Sequence, residues 1–320
     1  MADSGGTLVR VVFAGSAEFS IPVLRVLAAS PHELVQVLTA PERAGSRGSA
    51  APRPVKAEAI SLGIPVDQPA RLSEDFWQEL ARVRDPEILV VAAYGQMVPR
   101  PVLESLPQGG IGVHPSLLPR HRGASPVAAA ILAGDSRTGV TVFRMDQQMD
   151  AGPIVAQEAI RIPGSATTPS LSAQLAQLGA QMTLQVLNQL EAGGARDIPQ
   201  LNSGATYSHR LARQDGQLEW DLAAAEIDRA LRALAPWPGV TVPLGGGRVK
   251  LLRGAPDQST AVPGGTTPGE ILERGSEWIL VRAGEDAFRV ELIQPPGRPP
   301  MTPAAFLRGR KQDSGQWRHG

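Results

Sequence analysis

The 320-residue chain contains no cysteine, which excludes disulfides, thiolate zinc sites and thiol nucleophiles. Lysine is nearly as scarce: Lys56, Lys250 and Lys311 are the only three, and every other basic residue is arginine. Arginine is the better phosphate clamp, but a codon bias would leave the same trace, so the preference alone decides nothing. Neither sign of charge is in excess, with 31 Lys+Arg against 31 Asp+Glu, so no global field announces a nucleic-acid partner. The opening "MADSGGTLVRVVFAG" has no charged leader ahead of a long apolar run, and no apolar run reaches membrane-spanning length. A soluble cytoplasmic protein without a membrane partner is expected. Several chemical signatures are also missing. "FAGSAEF" lacks the three-glycine spacing of a dinucleotide fingerprint, and there is no P-loop, no G-x-S-x-G elbow and no His-rich metal spacing. What remains is a site for proton handling and carbonyl polarisation, with no metal expected.

Hydrophobic residues make up 42% of the chain, enough for a packed core, and the length calls for one large and one smaller domain. "LVRVVFAG" (8–15), "LVQVLTA" (34–40), "PEILVVAAYG" (86–95), "IGVHPS" (111–116) and "TGVTVFRM" (138–145) are short, apolar, β-branched runs. Helix-length segments separate them, the pattern of a mostly parallel sheet covered by helices. An amphipathic helix is predicted over 170–193, closed by Gly193-Gly194. The following "ARDIPQLNSGATYSHRLARQDGQLEW" has no sustained period and reads as a linker. One more helix is predicted over 223–234, and from Val240 onward short apolar pieces alternate with Gly/Pro turns. The expected architecture is α/β: a Rossmann-like, mostly parallel sheet with helices on both faces over 1–204, then a small C-terminal β-barrel (OB-like) domain over 205–320.

In an open parallel sheet, ligands bind outside the carboxyl ends of the strands. That places "GSAEF", "PERAGSRG", "AYGQMVP" and "HPSLLP" in play, with Asp146 and Asp150 after the fifth strand. Within "IGVHPSLLPRHRGASP" (111–126), His114 and His121 are two of only five histidines. A strand end running into a rigid exposed turn would explain the stretch blandly. Convergence of His114 with Asp150 would instead orient the imidazole for proton transfer.

"SLLPRHRGASP", with a preceding His and a following "DAGP", resembles the folate-dependent formyltransferases, and the likeness runs nearly the whole chain. "FAGSAEFSIPVL" is similar to that family's opening segment, "AYGQMVP" to its folate-pocket strand end, and "ELIQPPGRPPMTPAAFLRG" to its closing segment. The C-terminal segments point to the branch that acts on aminoacyl-tRNA. The resemblance implies transfer of a formyl group from 10-formyltetrahydrofolate, as co-substrate, to the methionine amino group of initiator tRNA. It implies His114 for carbonyl polarisation or proton management and Asp150 for orienting it. Ser116, Leu117, Leu118, Pro119, Tyr94, Gly95 and Asp146 would form the folate site. Arg43, Arg47, Arg248 and Lys250 would contact tRNA, and a monomer is expected. One catalytic position departs from the pattern. The family has Asn-x-His where this chain has Gly112-Val113-His114, so the side-chain amide that meets the developing oxyanion is absent. Losing one such donor costs ~10²–10³ in rate, which leaves a compensated enzyme, a slow enzyme, or a folate- and tRNA-binding protein with little turnover. The loop after strand two also lacks the family's paired lysines, with Ser49 and Ala50 in their place. From residue 208 onward, 15 Lys+Arg against 13 Asp+Glu is too small an excess to mark a nucleic-acid face. Trp237 in "PWPG" is expected as a core or interdomain plug rather than a stacking platform.

Overall fold

The computed structural model describes residues 8–42 and 53–308. These form two compact units. The first runs up to Val127 and adds Ser136–Ile162 and Ser170–Ser208; the second takes Ala128–Asp135, Pro163–Pro169 and the chain from His209.

The first unit contains β1 (Arg10–Gly15), α1 (Ser20–Ala28), β2 (Glu33–Leu38), α2 (Pro54–Ser61), β3 (Val66–Asp67), α3 (Glu74–Arg84), β4 (Ile88–Ala92), α4 (Arg100–Glu104), β5 (Gly110–His114) and β6 (Arg122–Gly123). After α5 (Pro126–Leu132) come β7 (Arg137–Arg144), β8 (Ile154–Arg161), α6 (Thr168–Glu191) and β9 (Tyr207–Ser208). Seven strands make one sheet in the order β3–β2–β1–β4–β5–β7–β8. The central strands are apolar on both faces because helices cover both: every residue of β5 is buried, as are Val11, Val12, Phe13 and Ala14 of β1. In α3 the Ser73 hydroxyl accepts from the Phe76 N–H at the amino end, and Asp85 closes the helix in a left-handed conformation (φ 47°). Helix α6 lays Leu175, Met182, Val186 and Leu187 inward. It comes close because Gly179 has no side chain: a Cβ there would stand 2.9 Å from Val113 Cγ1.

Three sequence expectations change. "TGVTVFRM" becomes β7, but it runs antiparallel to β5, pairing Thr141 with His114 and Arg144 with Ile111. With Thr141 opposite His114, β7 begins beyond the carboxyl end of β5 and runs back down the sheet. A further strand, β8, pairs antiparallel with β7 at the sheet edge. Its mixed exposure hid it from a search for apolar runs. Finally, residues 205–208 belong to the first unit, because β9 pairs in parallel with β6.

The second unit contains α7 (Ala224–Ala233), β10 (Val240–Pro243), β11 (Arg248–Asp257), β12 (Ile271–Arg274), β13 (Ile279–Ala283), β14 (Asp286–Gln294) and α8 (Pro303–Arg308). Its five strands form an antiparallel sheet in the order β10–β11–β14–β13–β12. Irregular register around Arg253 bends β11 against β14. The core holds Val240, Val249, Leu251, Val281, Phe288 and Ile293, with the Trp220 indole N–H donating to Pro243 O at 2.7 Å. No helix among the described residues is long and apolar enough to cross a membrane.

Candidate active site

β5 delivers His114 to the carboxyl edge of the sheet, where it is 7% exposed. Its Nε2 lies 2.9 Å from the His121 carbonyl oxygen. A carbonyl only accepts, so Nε2 carries the proton and the lone pair belongs to Nδ1. Nδ1 faces Asp150 Oδ2 at 3.6 Å, too far for a direct hydrogen bond and close enough for a charge to matter. The same Oδ2 accepts the Gly123 N–H at 2.7 Å. Sequence reasoning brought the two residues together by lining up carboxyl edges, and the route is different. β7 ends at Arg144, opposite Ile111, three residues short of His114 and therefore ~10 Å away along the strand. The loop after β7 carries Asp150 back, with Asp150 itself in a left-handed conformation (φ 53°).

The turn after His114 is satisfied from within. Ser116 Oγ donates to Arg120 O at 2.7 Å, and Thr141 Oγ1 donates to Ser116 O at 2.7 Å. Gln157 Nε2 donates to Leu118 O at 2.9 Å, and the Leu118–Pro119 peptide is cis. Ser116 and Leu118 therefore point into the fold, fully or almost fully buried. Tyr94 is turned inward too, clustered with Leu72, Trp77 and Val102. Among the described residues its hydroxyl has no hydrogen-bond partner, and burial pushes the phenol up to about 12. Its carbonyl accepts from Ser16 Oγ (2.8 Å), while Ser20 Oγ donates to Ala92 O (2.6 Å), so "GSAEFS" ties the end of β1 to that of β4. Of the residues expected at a folate site, only Leu117, Pro119, Gly95 and Asp146 keep exposed surface.

Gly112 is buried in β5 opposite Phe143 of β7. A Cβ at position 112 would lie 2.5 Å from Phe143 Cε1 and 2.6 Å from Cζ. The aromatic ring occupies the space that an Asn side chain would need. The glycine is thus one half of a packed pair, and a side chain at 112 requires the Phe143 ring to move.

A formyl transferase family model matches residues 9–187, and the model of the family's C-terminal domain matches 210–311. The chain belongs to the formyltransferase family. It is 39% identical over 307 residues to the methionyl-tRNA formyltransferase of Chloroflexus aurantiacus, covering 95% of this chain and 98% of that one. It is 36% identical over 301 residues to the methionyl-tRNA formyltransferase of Moorella thermoacetica, covering 94% and 96%. Among solved structures, the N-formyltransferase of Helicobacter canadensis, in complex with folinic acid and dTDP-3-aminofucose, superposes with a TM-score of 0.65. It is 14% identical, over 89% of this chain and 99% of that one. HypX of Aquifex aeolicus in complex with tetrahydrofolic acid gives 0.60 at 17% identity, over 94% and 47%. At these identities the two structures bear on the fold alone.

Arg43 and Arg47 lie outside the described residues. Arg248 is committed within its own unit: it pairs with Glu219 and donates from Nη2 to Leu218 O (2.6 Å) and Thr241 O (2.9 Å). Lys250 stands half-buried two residues further along β11. Trp237 is no core plug, being 54% exposed with the Arg213 guanidinium 6.0 Å from its ring centroid.

Sequence reasoning missed the contribution of the supposed linker. Ile198 pairs with Ile154, Gln200 and Asn202 reach the buried Arg122, and Thr206 and Ser208 bind the backbone of 121–125. This formyltransferase closes the turn after His114 with a segment that carries neither helical nor strand periodicity, so only the polar run "QLNSGATYSH" could have drawn attention to it.

Proposed function

We propose that this formyltransferase moves the formyl group of 10-formyltetrahydrofolate to the amino group of methionine on initiator tRNA, for translation initiation. It acts as a cytoplasmic monomer without a bound metal. The observation that carries the reading is the facing pair of His114 Nδ1 and Asp150, on a turn where Leu117 and Pro119 keep partial exposure. That pair sits in a chain similar over its length to proteins named methionyl-tRNA formyltransferases.

The chemistry follows from where the protons sit. The amine attacks the formyl carbon, the carbonyl π pair moves to oxygen, and the nitrogen must lose a proton. Nδ1 is the nitrogen with a free lone pair, because Nε2–H is fixed on His121 O. Nδ1 takes the proton, Asp150 steadies the resulting imidazolium, and that positive charge sits beside the developing oxyanion. Collapse restores the carbonyl, breaks the bond to the folate nitrogen, and returns a proton from Nδ1 to that nitrogen. Leu117, Pro119, Gly95 and Asp146 offer the folate surface. Arg43, Arg47 and Lys250 offer charge to the tRNA backbone, while Arg248 serves the fold.

A low-turnover binding protein, the alternative raised by Gly112, is not favoured. Proteins 36–39% identical over nearly their whole length carry the transferase name. The test is formyl transfer to methionyl initiator tRNA by the purified chain. Activity is expected, with a loss of ~10²–10⁴ in His114→Ala and a large loss in Asp150→Asn. A parent chain that forms no formyl-methionyl-tRNA would sink the reading.

A further inference from the structure

We infer that Gln200 is a positioning residue of the formyl-transfer site, its side-chain amide holding Asp150 against His114 by bridging the Asp150 loop to the buried Arg122; the inference rests on the function proposed above. Gln200 Nε2 donates to two carbonyls of that loop, Asp150 O at 2.9 Å and Gly152 O at 2.7 Å. Its Oε1 accepts from Arg122 Nη2 at 2.8 Å and Nε at 3.2 Å. Arg122 is 2% exposed, and among the described residues its other side-chain contacts, Asn202 Oδ1 at 3.5 Å and Tyr207 Oη at 3.4 Å, are also neutral and longer. A buried guanidinium needs strong acceptors, and Gln200 Oε1 gives it the two shortest bonds it makes. The positive charge polarises the amide, which strengthens the two bonds its NH2 group donates.

The circuit closes on itself. Arg122 and Gly123 are adjacent in β6. Arg122 holds Gln200, Gln200 holds the Asp150 carbonyl, and Gly123 N–H holds the Asp150 carboxylate at 2.7 Å. Asp150 adopts φ 53°, a conformation that a non-glycine residue keeps only when its surroundings impose it. Here the two constraints act on its backbone and on its side chain. The loop has little other freedom, since a Cβ on Gly152 would collide with Arg144 O. The isolated Ile198–Ile154 bridge, with bonds of 2.7 and 2.8 Å, fixes the irregular segment from which Gln200 reaches in.

Gln200→Glu separates positioning from mere support. Glutamate still accepts from Arg122, now as a carboxylate, but cannot donate to the two loop carbonyls. The expected result is kcat lower by about 10–100-fold, the cost of misplacing a reacting group by an ångström or less. KM for both substrates should stay within about threefold, which separates this from lost binding. The melting temperature should hold within about 3 °C. Parent-like kcat in Gln200→Glu, or a change confined to KM, overturns the inference. A second measurement is independent of turnover: the ring 15N shifts of His114 should move in Gln200→Glu in the direction they move in Asp150→Asn. Unchanged shifts overturn the inference as well. A parent chain without formyl transfer would defeat the proposed function, while the shifts would still decide whether Gln200 positions Asp150.

Discussion

The two units of this formyltransferase bury different things. Ser20, Gln36, His114, Arg122 and Thr141 are all buried polar side chains of the first unit, whereas among the described residues the second unit buries none. The second unit keeps charges at its surface, as in Arg253–Glu291, or half-buried in a pair, as in Arg232–Asp228, each at 2.9 Å. Burying a polar group costs free energy unless its partners are in place, so a polar interior demands one arrangement. That demand suits a site where a proton must move between particular atoms. An apolar interior tolerates repacking and mainly supports a surface. The contrast supports the proposal that the chemistry belongs to the first unit while the second offers a surface, on which Lys250 is proposed to meet tRNA.

The contrast can be broken at several points. The largest effect should come from His114→Ala, where the loss of ~10²–10⁴ in rate should leave the melting temperature nearly unchanged. A chain that unfolds instead would make His114 a structural residue. Next is Phe288→Ala in the second unit, expected to cost about 3–5 kcal/mol of stability by denaturant titration. Its kcat per folded molecule should be unaffected; a fall in kcat at full folding would mean the second unit takes part in the chemistry. Gly112→Asn should then destabilise by about 1–3 kcal/mol through overpacking, without a gain in rate. Combined with Phe143→Leu, which clears the ring, it should recover stability and raise kcat. A rate gain from Gly112→Asn alone would show that the ring yields freely.

The smallest effect concerns Tyr94. Its phenol is pushed up to about 12 from the usual 10 by burial, so the folded chain holds that proton longer than the unfolded chain does. The stability tied to this group is intact below pH 10 and is lost as the pH rises from 10 toward 12. Tyr94→Phe should lessen that alkaline loss. It should also raise stability at neutral pH by up to about 1 kcal/mol, because the buried hydroxyl has no partner among the described residues. An unchanged alkaline unfolding profile would mean that Tyr94 ionises as readily folded as unfolded.

The apolar runs located β1, β2, β4, β5 and β7, since strands covered on both faces must be apolar on both. The periodic stretch at 170–193 located α6, which spans Thr168–Glu191. His114 was legible because a strand end, a proline turn and a scarce imidazole coincide there. The direction of β7 was not, because a strand's composition is the same whichever way it runs. Nor was Gln200: a residue that acts by joining Arg122 to Asp150, 78 and 50 positions away, leaves no periodic trace. Gly112 shows the division most clearly. The sequence by itself determined that no side chain stands there. Only the tertiary structure decided that Phe143 fills the space, because the pairing of β5 with β7 sets which residue faces the glycine.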